Sequence, residues 1–253
     1  MSHTRNGAVN LRLKIYFFNS ALFLANDLTN QKMTPIALIL YALYLYFSSL
    51  SLRRASHVLE PIIKRSHVAI WKWIQKYSFV LDSFDVDKHD VNSIFIDETE
   101  INIGGKKAWL WVAYEPQLKA FLSFYISWHQ NSLDAYYFIR KLVKKYGRKT
   151  IYTEGALWYV DACRWAGVEH VVYDQSLKNL MERMNEYIKD RTEAFDDLFP
   201  CRKPKFEHVK NWFKAFRFFY NYVLTNEEIG SAPLSNDQLP EWIKPILLIA
   251  SMR

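Results

Sequence analysis

NSIFIDETEINIGGKKAWLWVAYEPQLKAFLSFYISWHQ, residues 92–130, decides the fold. Three extended runs stand in it, NSIFIDETEINIGG, KKAWLWVAYEP and KAFLSFYISWHQ, rich in β-branched and aromatic residues. Turn signals separate them at Gly104-Gly105 and at Pro116. Runs this close together pair most simply as an antiparallel meander.

Downstream the period changes. SLDAYYFIRKLVKKYG reads as a helix capped by Ser132 and ended by Gly147, KTIYTE as a short strand, LWYVDACRWAG as a second helix closed by Gly167, and EHVVYD as a fifth strand. SLKNLMERMNEYIKDRTEAF follows as a long amphipathic helix. A meander followed by alternating helix and strand predicts a mixed α/β fold with the element order of a ribonuclease-H-like sheet, spanning residues 93–225.

Upstream, residues 1–80 read as a small helical domain. Pro35 suits a first helical turn, Pro61 closes the helix LSLRRASHVLEP, and Ser66 caps SHVAIWKWIQKY. Three short helices, the last two joined by a tight turn, describe a helix-turn-helix. The third presents His67, Lys72, Gln75 and Lys76 beside Trp71 and Trp73, a mixture suited to a helix that packs on one face and meets phosphates on the other. Between Arg53 and Lys76 six basic residues, Arg53, Arg54, Lys64, Arg65, Lys72 and Lys76, face one acidic residue, Glu60. Arg53, Arg54, Lys64, Arg65, Ser66, His67 and Lys72 are therefore the expected DNA contacts. An acidic linker, residues 81–92, and a tail, 226–253, complete the division, and the tail is assigned no chemistry.

Composition agrees with a nucleic-acid partner. The chain of 253 residues is 50% hydrophobic and carries a formal net charge of +7, so it folds and attracts polyanions. Cys163 and Cys201 have no cysteine or histidine at zinc-site spacing, which predicts reduced thiols in a cytoplasm. Met33 to Leu52 contains no charged residue, but its apolar block, IALILYALYLYF, is twelve residues long and is better read as a buried helix than as a membrane anchor.

Two-metal phosphoryl chemistry needs carboxylates that converge from different elements. Asp97 follows the apolar run SIFI within the first strand, where an acid either faces solvent or serves a site. Its neighbours Glu98 and Glu100 read as solvated. Glu154 closes TIYTE before Gly155, and Glu182 sits on the long helix; Asp174, Asp161 and Glu186 remain eligible.

With SLRRASHVL, HVAIWKWIQKY, FIDET, WLWVAYEP, YTEGALWY and EHVVYDQSLKNLMERMNEYIKDRTEAFDD in place, the chain resembles the insertion-sequence six family of DDE transposases in its archaeal form, over roughly residues 30 to 220. The resemblance implies a retroviral-integrase-like core that cleaves and joins double-stranded DNA at element ends and target. It implies two divalent ions, Mg2+ or Mn2+, held by Asp97, Glu154 and Glu182, and a homodimer or higher oligomer on DNA. Lys189 and Arg191, about two turns beyond Glu182, fall where they would contact phosphates beside the cut. One position departs from the family pattern. Glu154 stands where an Asp is expected, and its extra methylene moves the carboxylate by roughly 1–1.5 Å, enough to cost on the order of a hundredfold in rate. A DNA-binding copy with impaired catalysis is therefore the alternative reading.

Overall fold

A computed structural model describes residues 34–173, 188, 206–226, 228–234, 239–244 and 246–247. The elements in chain order are α1 (Ile36–Phe47), α2 (Leu52–Leu59), α3 (His67–Asp82), β1 (Ser93–Ile103), β2 (Lys106–Glu115), β3 (Ala120–Ser127), α4 (Ser132–Tyr146), β4 (Thr150–Thr153), α5 (Leu157–Ala166), β5 (His170–Val172) and α6 (Phe206–Tyr222). The long helix expected from Ser176 onward lies outside the described residues, Ile188 excepted.

The five strands form one sheet in the order β3-β2-β1-β4-β5. β1, β2 and β3 pair antiparallel, as the turn signals predict, while β4 runs parallel to both β1 and β5. Parallel pairing requires a crossover, and α4 and α5 supply it on one face of the sheet. That face is filled by Ile94, Ile96, Trp111, Phe138, Ile139, Leu142, Ile151 and Tyr159. The opposite face carries Phe95, Ile101, Val112 and Phe124 under α6. Successive residues of a strand point to opposite faces, so β1 supplies both layers and its burial is nearly continuous. The fold is ribonuclease-H-like, as the element order predicts.

α6 is the element that the sequence reading left without an assignment. Phe206–Tyr222 does carry a polar stripe at helical spacing, Glu207, Lys210, Lys214, Arg217 and Asn221, set in an aromatic-rich run. Trp212, Phe213, Phe216, Phe218 and Phe219 are fully or almost fully buried, each worth about 1.5–3 kcal/mol relative to exposure. Trp212 stacks on Phe216 at 5.1 Å, Phe47 of α1 stacks on Phe219 at 4.9 Å, and Trp212 Nε1 donates to the Tyr46 hydroxyl at 2.8 Å. α1, α2 and α3 thus share one continuous core with α6 and the sheet. Leu239, Ile243 and Ile246 of the tail join it as well.

Local signals resolve most ends. Ser51 and Ser66 accept from Arg54 N and Ala69 N and cap α2 and α3. α4 begins one residue away from expectation: Asn131, not Ser132, is the cap, because its side chain accepts from Asp134 N at 2.9 Å while Ser132 has already entered the helix. The link between α2 and α3 is longer than the tight turn expected, running from Glu60 to Ser66. α1 spans twelve residues, and no described helix is long and apolar enough to cross a membrane.

Candidate active site

Parallel pairing of β1 with β4 brings two of the three expected acids together. Ser93, Ile94 and Phe95 pair with Thr150, Ile151 and Tyr152. The same offset of 57 residues carries Asp97 to Glu154, the residue just past the end of β4. Alternation puts Asp97 on the face where Phe95 and Tyr152 stack at 4.6 Å and Tyr173 stacks on Phe95 at 5.8 Å, and Glu154 follows directly after the end of β4. Asp97 is half-buried within β1, and Glu154 is exposed just past the end of β4.

Gly155 turns the chain away from the sheet directly after Glu154. Its φ is +91°, and a β-carbon there would lie 3.0 Å from Val172 Cγ1, so both backbone conformation and space call for glycine. Its amide donates to Thr153 Oγ1 at 3.1 Å, which fixes the bend.

Glu98, read from sequence as a solvated neighbour, is instead an organised part of the region. It points to the face opposite Asp97, half-buried, where Gln130 Nε2 donates to Oε1 at 2.8 Å and the Tyr159 hydroxyl donates to Oε2. Burial raises its pKa; the two hydrogen bonds oppose that rise, and the charge of Glu154 adds to it. Tyr159 is fully buried, and burial followed by the charge of Glu98 lifts its pKa well above the usual value. This arrangement ties α5 and the loop after β3 to β1. The available signal was parity alone: Glu98 has the phase of Ile94 and Ile96, the residues that face α4 and α5.

The other expected positions divide into three groups. Glu182, Lys189 and Arg191 lie outside the described residues, as do Asp174 and Glu186. Arg53, Arg54, Lys64, His67 and Lys72 are exposed. Arg65 and Ser66 are engaged within the fold: Arg65 Nε donates to Thr34 Oγ1 at 2.8 Å and its Nη1 to Lys64 O at 3.0 Å, while Ser66 caps α3. Gln75 turns toward α6, donating to His208 O and accepting from Asn211, both at 3.2 Å. Asp161 is tied to Arg164 on its own helix.

Among the described residues no three carboxylate, histidine or cysteine side chains converge as a complete metal site. The pair Asp97 and Glu154 nevertheless offers oxygen donors alone, which suits a hard divalent cation such as magnesium.

A mixed sheet of this order, with helices on both faces and acids within β1 and just past the end of β4, defines a ribonuclease-H-like protein. The family model described as "DDE domain" (DDE_Tnp_IS240) matches residues 91–222, and the chain belongs to this family of DDE-type insertion-sequence transposases. It is 34% identical over 180 residues to the uncharacterized protein MJ0017 of Methanocaldococcus jannaschii, covering 71% of this chain and 83% of that protein. It is 29% identical over 122 residues to the transposase for insertion sequence-like element IS431mec of Staphylococcus aureus, covering 47% of this chain and 52% of the transposase. The chain therefore spans about half the length of that transposase. Among solved structures, the catalytic core domain of BIV integrase covers 56% of this chain and 90% of its own at 17% identity and a TM-score of 0.41. The HTLV-2 integrase catalytic core domain in complex with magnesium covers 56% of this chain and 93% of its own, also at 17% identity and a TM-score of 0.41.

Proposed function

We propose that the chain binds the ends of an insertion sequence and carries out metal-dependent strand cleavage and strand transfer into target DNA. The observation that supports this reading is the parallel pairing of β1 with β4, whose offset of 57 residues, carried past the end of β4, brings Glu154 toward Asp97.

Asp97, Glu154 and Glu182 would hold two divalent ions, magnesium or manganese. Bound there, the ions activate the attacking oxygen and stabilise the leaving one. The protein's own part is positional. Phe95, Tyr152 and Tyr173 form a rigid floor, Gly155 sets the exit of the chain, and the Glu98–Tyr159–Gln130 bonds hold α5 against β1. DNA is engaged by the exposed cations of α2, α3 and their link, Arg53, Arg54, Lys64 and Lys72 with His67, and by Lys189 and Arg191. Arg65 and Ser66 contribute by fixing that link. Residues 1–80, 81–92, 93–225 and 226–253 are helical DNA-binding region, linker, catalytic domain and tail in this reading. The protein acts on DNA as a dimer or higher oligomer in the cytoplasm.

Glu154 in place of the family's Asp favours a second reading, a DNA-binding copy with impaired catalysis. Strand cleavage of element-end DNA by the full chain, with magnesium and with manganese, separates the two. The catalytic reading expects metal-dependent cuts that Asp97→Asn reduces by at least about a thousandfold, roughly 4 kcal/mol of barrier, with DNA binding retained. Binding without cleavage under either metal leaves only the impaired copy.

A further inference from the structure

β3 is the edge strand, and side chains from three directions satisfy its outward backbone groups. Asn221 accepts from Phe121 N at 2.8 Å and donates to Phe121 O at 2.9 Å. Tyr146 and Arg217 both donate to Leu122 O, at 3.2 and 3.0 Å, and Lys141 Nζ donates to Phe124 O at 3.1 Å. An edge closed in this way is protected from pairing with other strands. It also becomes the floor of a cleft of about 320 Å³ between α4 and α6.

The cleft holds more positive charge than edge protection requires. Lys141 and Lys145 enter from α4, and Lys210, Lys214 and Arg217 from α6, against only Asp82 at the end of α3 and Asp85 just beyond it. With every group charged the lining is +3. Arg217 is 3% exposed and takes both acids, bonding Asp85 Oδ1 at 2.7 Å and Asp82 Oδ1 at 3.0 Å; Lys145 shares Asp85. Lys210 and Lys214 have no carboxylate partner among the described residues, and Lys210 lies over the Phe206 ring at 5.8 Å. They hold no part of the edge. Burial, then repulsion from Arg217, brings the Lys145 pKa down to about 8, and burial lowers that of Lys141 as well. Both lysines are therefore short of negative charge, and an anion entering between them relieves the deficit.

We propose that this cleft binds backbone phosphates of DNA, as a second contact beside the β1–β4 site; the proposal rests on the DNA-acting reading given above. Register supports that source of phosphate. Asp97 pairs with Val112, and Val112 with Phe124, which lines the cleft, so the two regions stand at the same level of the sheet two strands apart, about 10 Å. At 3.4 Å rise per phosphate of a strand, that is about three nucleotides of duplex. Val112 and Phe124 fill that line under α6, so a duplex engaged at Asp97 carries flanking phosphates to the β3 edge over α6, a path longer than the in-sheet distance.

The test measures element-end duplex binding by the full chain across a salt series, together with thermal stability and cleavage. K210Q/K214Q is expected to bind at least about tenfold more weakly at 0.1 M salt and to lose roughly 1.8 from the slope of log affinity against log salt, two phosphate contacts at about 0.9 each. Its melting temperature should stay within about 3 °C of the parent's. K106Q/K107Q, which removes the same charge from the β1–β2 hairpin, should bind within about twofold of the parent. Equal losses in the two double variants, or unchanged affinity and slope in K210Q/K214Q, overturn the proposal. So does a cleft that takes only free phosphate, seen as pyrophosphate raising the melting temperature of the parent but not of K210Q/K214Q while DNA affinity stays equal. Cleavage by the parent keeps the two readings apart. A parent that cleaves while K210Q/K214Q binds normally removes the cleft alone, whereas a parent that never cleaves while K210Q/K214Q loses affinity removes the catalytic reading and supports the cleft.

Discussion

Where β4 ends beside the middle of β1, charges of one sign meet; at the β3 edge, charges of both signs interleave. Asp97 and Glu154 stand side by side at the first place, and the charge of Glu154 reaches through to Glu98 on the opposite face. At the second, Arg217 is enclosed by Asp82, Asp85 and the carbonyl oxygens of Asp82, Phe84 and Leu122. Like charges held together cost stability until a counter-ion arrives, so they mark a place built for something brought from outside. Opposite charges held by several fixed bonds mark a place that keeps the fold, and their surplus of positive charge, Lys210 and Lys214 above all, is left for a ligand. Residue type alone does not separate these roles. The number of fixed partners does.

Removing the structural side of the contrast should give the largest effect. Arg217→Met strands Asp82 and Asp85 beside the core and should cost about 3–5 kcal/mol, a fall in melting temperature on the order of 10 °C for a chain of this size. Burial alone would raise the Asp85 pKa, but Arg217 and Lys145 outweigh it and hold it below the ordinary 3.8. A carboxylate lowered on folding stabilises above its unfolded value, and that contribution fades as pH falls through the folded value. The gap between parent and Arg217→Met should therefore be full near neutral pH and shrink below about pH 3.8. A gap independent of pH in denaturation at pH 3 and pH 7 would mean that Arg217 acts by packing alone.

The acidic pair should respond in rate and not in stability. Magnesium tolerates little departure from octahedral coordination at roughly 2.0–2.1 Å, so a carboxylate one methylene too long must shift the ion or adopt a poorer rotamer. Glu154→Asp should raise the magnesium cleavage rate by at least about tenfold, roughly 1.4 kcal/mol, and manganese should narrow the difference. Strand cleavage at matched DNA occupancy measures it. A parent already as fast as the Asp variant would make Glu154 a competent ligand.

Charge loss on the α2–α3 side should have a smaller effect on stability and a clear one on salt dependence. Replacing Lys64 and Lys72 with Ala should lower the salt slope of DNA binding by about 1.8, whereas Arg65→Ala should also loosen the link that it holds to Thr34. Equal slopes in parent and Lys64/Lys72 variants would take this face out of DNA contact.

The smallest expected change is in pH dependence at the cleft. Lys145 faces Asp82 at the end of α3 and Asp85 just beyond it, Tyr146 and Lys141 on its own helix, Tyr125 on β3, and Lys210, Lys214 and Arg217 on α6. Its pKa of about 8 means that the charge is present at pH 7 and lost as pH rises past 8. The salt slope of DNA binding should fall by up to about 0.9 between pH 7 and pH 9, and Lys145→Gln should remove that difference. A slope that stays constant in the parent over this range would place Lys145 outside the contact.

Strand signals, caps and turns were local, and the sequence determined them. The FIDETEI run, Gly104-Gly105, Pro116, Ser66, Gly147 and Gly167 each fix a few residues through their own conformational preferences, which is why the meander and most helix ends could be read directly. Asp97 and Glu154 were proposed by motif. Their adjacency was not legible, because it depends on β4 choosing β1 as a parallel partner across a crossover. Glu98 looked solvated because its environment is made by Tyr159 and Gln130, 61 and 32 residues away. α6 escaped although Glu207, Lys210, Lys214, Arg217 and Asn221 recur along it at helical spacing, because its aromatic residues crowd that period. The cleft escaped because its cations come from two helices that meet only around the β3 edge. Tertiary structure decided these features, since burial and charge pairing are properties of neighbours in space, and a sequence states only neighbours along the chain.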